Sequence, residues 1–305
     1  MWITSSPTTA LTPTAVALGN FDGIHLGHRQ VITPVLSNDG ILHSTVVTFN
    51  PHPKEFFTGE HRSLLTPHEE KVLTLEEMGV EQLVLLPFNR ELASLSPQRF
   101  VEEIVVHQLQ ARRVSVGADF CFGYKRSGTA ADLQAIAATF GVEVAIVPLL
   151  QTHGARISSS AIREALLSGD LHNANRMLGR SYRLIGQVVT GQQLGRTIDF
   201  PTANLQLLPH KLIPRQGVYA VRVLGVGATA ILGVMNIGNR PTVNGMSQTI
   251  EVHLLDWAGD LYGKTLIVKL EEFIRSEQKF ASLDDLKAQI KADCDTARTA
   301  LTAIS

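Results

Sequence analysis

At 305 residues the chain exceeds the usual size of one compact domain, so two domains are expected. Its content of 44% hydrophobic and 18% charged residues supplies real cores and excludes a disordered chain. A formal net charge of −1 excludes a global basic field for nucleic acid or anionic membrane, so any polyanion must be gripped by local geometry. The two cysteines, Cys121 and Cys294, are far apart and form no disulfide framework, which points to a reducing compartment. The opening "MWITSSPTTALTPTAV" has no basic residue before Arg29 and no long apolar core, so it does not read as a signal peptide. No apolar run approaches the ~20 residues of a spanning helix. The expectation is a cytoplasmic protein acting on small molecules, with neither nucleic acid nor membrane as a partner.

Residues 1–180 alternate strand-like and helix-like segments. "TAVALG", "STVVTF", "QLVLLP", "RVSVGA" and "VEVAIV" are β-branched and mostly apolar on both faces, as buried parallel strands are. Between them, "TPHEE" predicts a helix with Thr66 as N-cap, Pro67 at N1 and Glu69 at N3, stopping near Gly79. "SPQRFVEEIVVHQL" predicts another, opened by Ser96 and Pro97, with Phe100, Ile104 and Val105 on one face. Repeated βα units predict a Rossmann-like α/β domain with a parallel sheet, binding its ligand beyond the C-terminal strand ends.

Residues 181–305 change rhythm. "YRLIGQVV", "GVYAVRV", "TAILGVMN", "TIEVHLL" and "KTLIVKLEEF" are strands without intervening helices, which predicts a small antiparallel β-barrel. "SLDDLKAQIKADCDTARTAL" predicts a terminal helix capped by Ser282, with Cys294 on its packed face beside Ile290, Ala297 and Leu301. The hinge is placed near "MLGRSYR".

Four loops of the first half carry candidate chemistry. "GNFDGIHLGH", residues 19–28, turns from a strand into a helix mouth, where free N–H groups and the helix dipole attract anions. His25 and His28 can add two imidazole donors, and Gly23 and Gly27 leave room for a phosphate. A plain glycine-rich turn is the alternative; a zinc site lacks a third nearby ligand. "ISSSAIREAL" opens a helix with Ser158, Ser159 and Arg163, or is an ordinary serine-rich cap. "FNPHPKEFF" sets His52 between two prolines in a rigid, extended loop, and "VGADFCFGYKRSGT" offers Asp119, Phe120 and Phe122. In the second half, "GRTIDFPTANL", residues 195–205, combines a Gly-Arg-Thr turn with a hydroxyl and an amide two apart. "AGDLYGKT" imitates a phosphate-binding loop, but Ala258 stands where its first glycine belongs and a strand pattern follows where a helix is required.

The H-x-G-H signature in a strand–turn–helix resembles the nucleotidylyltransferase superfamily, and "ISSSAIREAL" falls where that family has its second phosphate motif. The resemblance implies nucleotide contacts from Gly19, Phe21, Asp22, Gly23, His25, His28, Ser158, Ser159 and Arg163, with His28 and Arg163 catalytic through the charge of the triphosphate. "GRTIDFPTANL", "GVMNIGNRPTV", "TIEVHLLD", "GDLYGKTL" and "FIRSEQKF" resemble, in order, the riboflavin kinase signature. That resemblance implies nucleotide contacts from Gly195, Arg196 and Thr197 and Mg²⁺ held near Thr202 and Asn204. It also implies a general base at Glu251 and flavin contacts from Arg275 and Glu277. A kinase needs a carboxylate beside the attacking hydroxyl, although pairing with a barrel cation such as Lys269 is the other reading of Glu251. The family usually has Gly where this chain has Asp199. His52, Asp119 and Phe122 fall to the flavin of the first domain. Nearly the whole chain thus resembles the bacterial bifunctional riboflavin kinase/FMN adenylyltransferase family, the FAD synthetases. The implied chemistry is phosphorylation of riboflavin by ATP to FMN, then adenylation of FMN by ATP to FAD. A kinase with a silent first domain and a flavin-sensing binding protein are the rival readings.

Overall fold

The computed structural model describes residues 1–36, 40–152, 154–191, 200–242 and 245–303. They fall into two compact units, Met1–Ser159 and Ser160–Ser305.

The first unit holds β1 (Trp2–Thr4), β2 (Thr14–Leu18), β3 (His43–Asn50), β4 (Gln82–Pro87), β5 (Ala111–Gly117), the short pair β6 (Cys121–Phe122) and β7 (Gly128–Thr129), β8 (Glu143–Val147), and the hairpin β9 (Gln151–Thr152) and β10 (Ala155–Arg156). Six of these form one sheet in the order β1-β4-β3-β2-β5-β8, with every pairing parallel. All five predicted strands are present. The edge strand β1 adds a sixth, three residues too short to show a pattern in sequence. The chain leaves β2 in one direction across the sheet through β3 and β4, and in the other through β5 and β8. The loop after β2 therefore stands at the switch point where such sheets bind ligands. Strand β2 is buried on both faces: Val16 and Leu18 join one core cluster, Ala15 and Ala17 the other.

Helices α1 (Leu26–Ile32), α2 (Pro53–Thr58), α3 (His68–Glu77), α4 (Arg90–Ser94), α5 (Pro97–Arg99) and α6 (Ala130–Ala138) belong to this unit. Ser96 caps α5 as predicted, accepting from Arg99 N–H at 3.2 Å. The helix then widens over Phe100–Gln108, where Leu109 N–H reaches the Ile104 carbonyl five residues back at 3.0 Å. Thr66 does not cap α3. That helix starts one residue later, with Pro67 at its cap, because the Thr66 hydroxyl is taken by the loop after β2.

The second unit is a closed barrel of β11 (Tyr182–Val189), β12 (Ala203–Leu207), β13 (Gly217–Leu224), β14 (Ile231–Thr242), β15 (Gly245–Leu254) and β16 (Thr265–Arg275), in the order β11-β12-β15-β14-β13-β16. Five of these strands are as predicted; β12 begins inside the stretch read as a motif loop and runs two residues past it. The "AGDLYGKT" stretch runs into β16, whose Leu266, Val268 and Leu270 are fully buried, so it is no phosphate-binding loop. Helices α7 (Ser159–Ser168), α8 (Leu171–Leu178) and α9 (Leu283–Ala303) follow the sheet unit and the barrel. The Asn175 side chain ties α8 to the barrel, donating to the Leu270 carbonyl at 2.9 Å and accepting from Tyr182 N–H at 2.7 Å. Ser282 caps α9 as predicted, and Cys294 is buried on its packed face, its thiol pushed up to about 11 by burial.

Candidate functional site

In the first unit the loop after β2 carries strain. Phe21 and Ile24, neither of them glycine, hold φ of 47° and 41°, with Gly23 at 94° between them. Such a backbone persists only when its surroundings over-determine it, and here they do. Thr66 N–H donates to Asp22 Oδ1 at 3.1 Å, and Gly23 N–H donates to Thr66 Oγ1 at 2.9 Å. The Ser159 hydroxyl donates to the Asp22 carbonyl at 2.8 Å, so the two predicted phosphate motifs meet directly. Phe21 folds its ring over Gly19, where any Cβ would be 3.0 Å from the ring, and sets its edge against His28 at 5.4 Å. With 1% exposure, Phe21 supports the site by packing.

His25 caps α1: its Nδ1 accepts the His28 N–H at 3.2 Å. Since that nitrogen is an acceptor, the neutral ring carries its proton on Nε2 and offers a donor there. The two imidazoles stack at 3.5 Å, and Gly27 leaves the space the His25 ring needs. His52 repeats the device. It is not in an extended loop: Pro53 starts α2, His52 Nδ1 accepts Lys54 N–H at 3.0 Å, and Glu55 accepts His52 N–H at 3.3 Å. Burial, then the charge of Arg62, holds the His52 imidazole below the ordinary value.

After β5, Asp119 forms an ion pair with Arg156 of β10. Phe122 is 5% exposed and packed on Phe100 in the core, which leaves Phe120, stacked on it at 5.7 Å and half-buried, as the ring nearer solvent. Ser158 precedes α7, and Arg163 lies one turn into that helix, within the second unit. Lys71 of α3, which no local pattern marks, reaches the motif loop with its ammonium.

In the barrel, register does the gathering. β15 lies between β12 and β14, and Glu251 stands directly opposite Asn204 on one side and Asn236 on the other. Lys269 is on β16, which does not neighbour β15, so Glu251 is not its cross-strand partner. A cavity of about 380 Å³ is lined by Glu251, Asn236, Thr202, His253, Arg275, Glu277 and Phe280, among others. His253 Nδ1–H donates to the Pro201 carbonyl at 2.8 Å and so holds the Pro201–Thr202 segment against β15. Arg275 is spoken for: its Nε and terminal nitrogen meet both oxygens of Asp293 on α9, at 2.9 and 2.7 Å, with Asp293 4% exposed. Arg275 thus serves as cavity wall, 5.8 Å from the Phe280 ring centre. Glu277 fills the space a side chain at Gly238 would need, and Asn204 does the same at Gly191. Thr202 also lines a second, smaller cavity with Val188, Trp257, Asp260 and Tyr262. Gly195, Arg196, Thr197 and Asp199 lie outside the described residues.

The FAD synthetase family profile matches residues 8–161, and the riboflavin kinase family profile matches residues 178–301. The chain belongs to the bifunctional riboflavin kinase/FMN adenylyltransferase family. The Escherichia coli member is 44% identical over 287 residues, covering 93% of this chain and 91% of its own. The Bacillus subtilis member is 38% identical over 289 residues, covering 91% and 89%. A solved structure from Streptococcus pneumoniae, described as a macrolide-efflux protein, shares 34% identity at a TM-score of 0.87, covering 97% of this chain and 98% of that one. That name speaks of transport, yet no described helix of this chain is long and apolar enough to cross a membrane, and both profiles name flavin chemistry. The chain is a transferase with both activities, synthesis of FMN from riboflavin and then of FAD from FMN.

Proposed function

We propose that residues 181–305 phosphorylate riboflavin and residues 1–180 adenylate the FMN formed, each with its own ATP. The observation that carries this reading is the convergence of Glu251, Thr202, Asn236 and Glu277 on one barrel cavity, while the strained Phe21–Ile24 loop and the His25–His28 pair that follows it stand at the switch point of the sheet. In the barrel, Glu251 orients the 5′-hydroxyl of riboflavin and accepts its proton as that oxygen attacks the γ-phosphorus of ATP. The flavin ring takes its contacts from Arg275, Phe280 and Glu277 of the cavity lining, and the sequence motif assigns nucleotide contacts to Gly195, Arg196 and Thr197.

Thr202 and Asn204 supply a hydroxyl and a carboxamide oxygen, hard donors suited to Mg²⁺. Among the described residues no group of three or more His, Cys, Asp or Glu is placed to hold a metal. That donor set fits an ion shared with nucleotide phosphates, which it would neutralise.

In the sheet unit, one oxygen of the FMN phosphate attacks the α-phosphorus of ATP and pyrophosphate leaves. No enzyme nucleophile is needed, because the FMN phosphate is already anionic. His25 and His28, with the mouth of α1, hold the phosphates, and Ser158, Ser159 and Arg163 meet the charge that develops on the leaving group. His52, Asp119 and Phe120, the last backed by the buried Phe122, border the flavin. A cytoplasmic location accords with two free cysteines and the lack of a spanning helix among the described residues. The test is His28→Ala. FAD formation should fall by about 10²–10³-fold, the usual cost of one transition-state donor, while FMN accumulates from riboflavin at the normal rate. Unchanged FAD formation would overturn the assignment of the motif.

A further inference from the structure

Helix α3 reaches the C-terminal rim of the sheet with one cation. Lys71 Nζ donates to the Asn20 carbonyl at 3.0 Å and to Thr48 Oγ1 at 3.4 Å, and Thr48 Oγ1 donates to the same carbonyl at 3.0 Å. Asn20 is the second residue after β2, and Thr48 stands two residues before the end of β3, where the chain enters the Pro51–His52–Pro53 turn. The ammonium therefore sits between the loop that holds the histidine pair and the loop assigned to the flavin. An ammonium has three donors, and two neutral oxygens occupy two of them. No described carboxylate forms an ion pair with it, and Asp22, His52 and His68 are the titratable groups that share its surroundings. Burial pushes its pKa down and Asp22 pulls it up. A partly buried cation held only by neutral oxygens is costly to keep unless an anion completes its shell.

We propose that Lys71 receives the phosphate monoester of FMN and thereby makes the adenylyl-transfer site select phosphorylated flavin over riboflavin. The inference rests on the reading that this rim is the FAD-forming site. Lys71 stays protonated and donates to a phosphate oxygen that does not attack. The attacking oxygen forms the new bond to the α-phosphorus of ATP. The bond from that phosphorus to the bridging oxygen breaks, and its electron pair leaves with pyrophosphate. The bond from Lys71 to Thr48, on the strand that leads into the loop assigned to the flavin, favours the phosphate of FMN over those of ATP.

The experiment uses the full chain with Lys71→Met, which keeps length and removes charge, and Lys71→Arg, which keeps charge. FAD formation is measured against FMN at saturating Mg·ATP and against ATP at saturating FMN. The KM for FMN should rise about 10- to 100-fold in Lys71→Met, the range for a lost charged hydrogen bond. The KM for ATP should stay within about twofold, and Lys71→Arg should recover most of the loss. FMN formation from riboflavin, in the other unit, should be normal. Should Lys71→Met abolish FAD formation at every concentration, equilibrium dialysis of radiolabelled FMN, with riboflavin and ADP filling the kinase cavity, reads the affinity directly, and an unchanged value overturns the proposal. A raised KM for ATP with an unchanged KM for FMN also overturns it, and so does a fall in kcat alone, which would make Lys71 a brace of the Asn20 loop. Each of these leaves the rim assignment standing; His28→Ala with normal FAD formation would remove the assignment itself.

Discussion

Thr66→Val asks how much of FAD synthesis depends on bracing a strained loop. The substitution keeps the shape of a residue that is 3% exposed but removes the hydroxyl that accepts Gly23 N–H at 2.9 Å. The Thr66 N–H still meets Asp22, so one of the two links from this residue is lost. Taking the acceptor from a buried donor costs about 1–3 kcal/mol. Phe21, Gly23 and Ile24 all hold positive φ, so the working loop competes with relaxed arrangements, and this cost falls on the working one. A bias of about 1–3 kcal/mol corresponds to about 5- to 150-fold in population. FAD formation from FMN should fall within that span, and the melting transition of the first unit should move down. Thr66→Ser, which retains the acceptor, should restore most of both, and FMN formation from riboflavin should be unaffected by either change. The assays are paired initial rates with each flavin and a calorimetric scan. If Thr66→Val leaves FAD formation and the melting transition untouched, the loop is held by its other contacts and the bracing argument is wrong.

Asp293→Ala should strand the Arg275 guanidinium in the cavity wall, destabilising the barrel by about 3–5 kcal/mol, the cost of breaking a buried pair from one side. Denaturant unfolding of the full chain measures it, and a loss under 1 kcal/mol would show the pair to be solvated. His52 titrates below its ordinary value of 6.5 because of burial and Arg62. The folded state thus binds this proton less well than the unfolded state. Its stability contribution is complete above about 6.5 and is lost as pH falls from there toward the depressed value. His52→Asn, which keeps a capping acceptor, should flatten this acid slope while His68, depressed likewise by burial, leaves a residue of it; an unchanged slope would count against His52.

The reading of the sequence followed periodicity and failed where tertiary partners decide. Buried strands such as "TAVAL" show themselves as continuous apolar runs because both faces meet helices. β12 was hidden because its Asn204 belongs to a motif that reads as a polar loop, and only pairing with β11 and β15 reveals a strand. Thr66 had the local signature of a cap, yet a strained loop 43 residues away takes its hydroxyl. Phe21 and Phe122 stood out within motifs for their type, and the structure buries both as supports. Arg275 showed a basic residue at the right place, but its carboxylate partner is 18 residues on, in α9. Lys71 left no mark in sequence because its role comes entirely from where α3 lies on the sheet.

Glu251→Gln gives the most direct test of the claim that two separate sites perform the two steps. Glutamine keeps the shape of the side chain between Asn204 and Asn236 but cannot accept the hydroxyl proton. On one preparation of the full chain, FMN formation from riboflavin and FAD formation from added FMN are measured side by side. FMN formation should fall by roughly 10²–10⁴-fold, the range for a general base, with riboflavin affinity little changed and FAD formation at the level of the unaltered chain. Near-normal FMN formation would contradict the account.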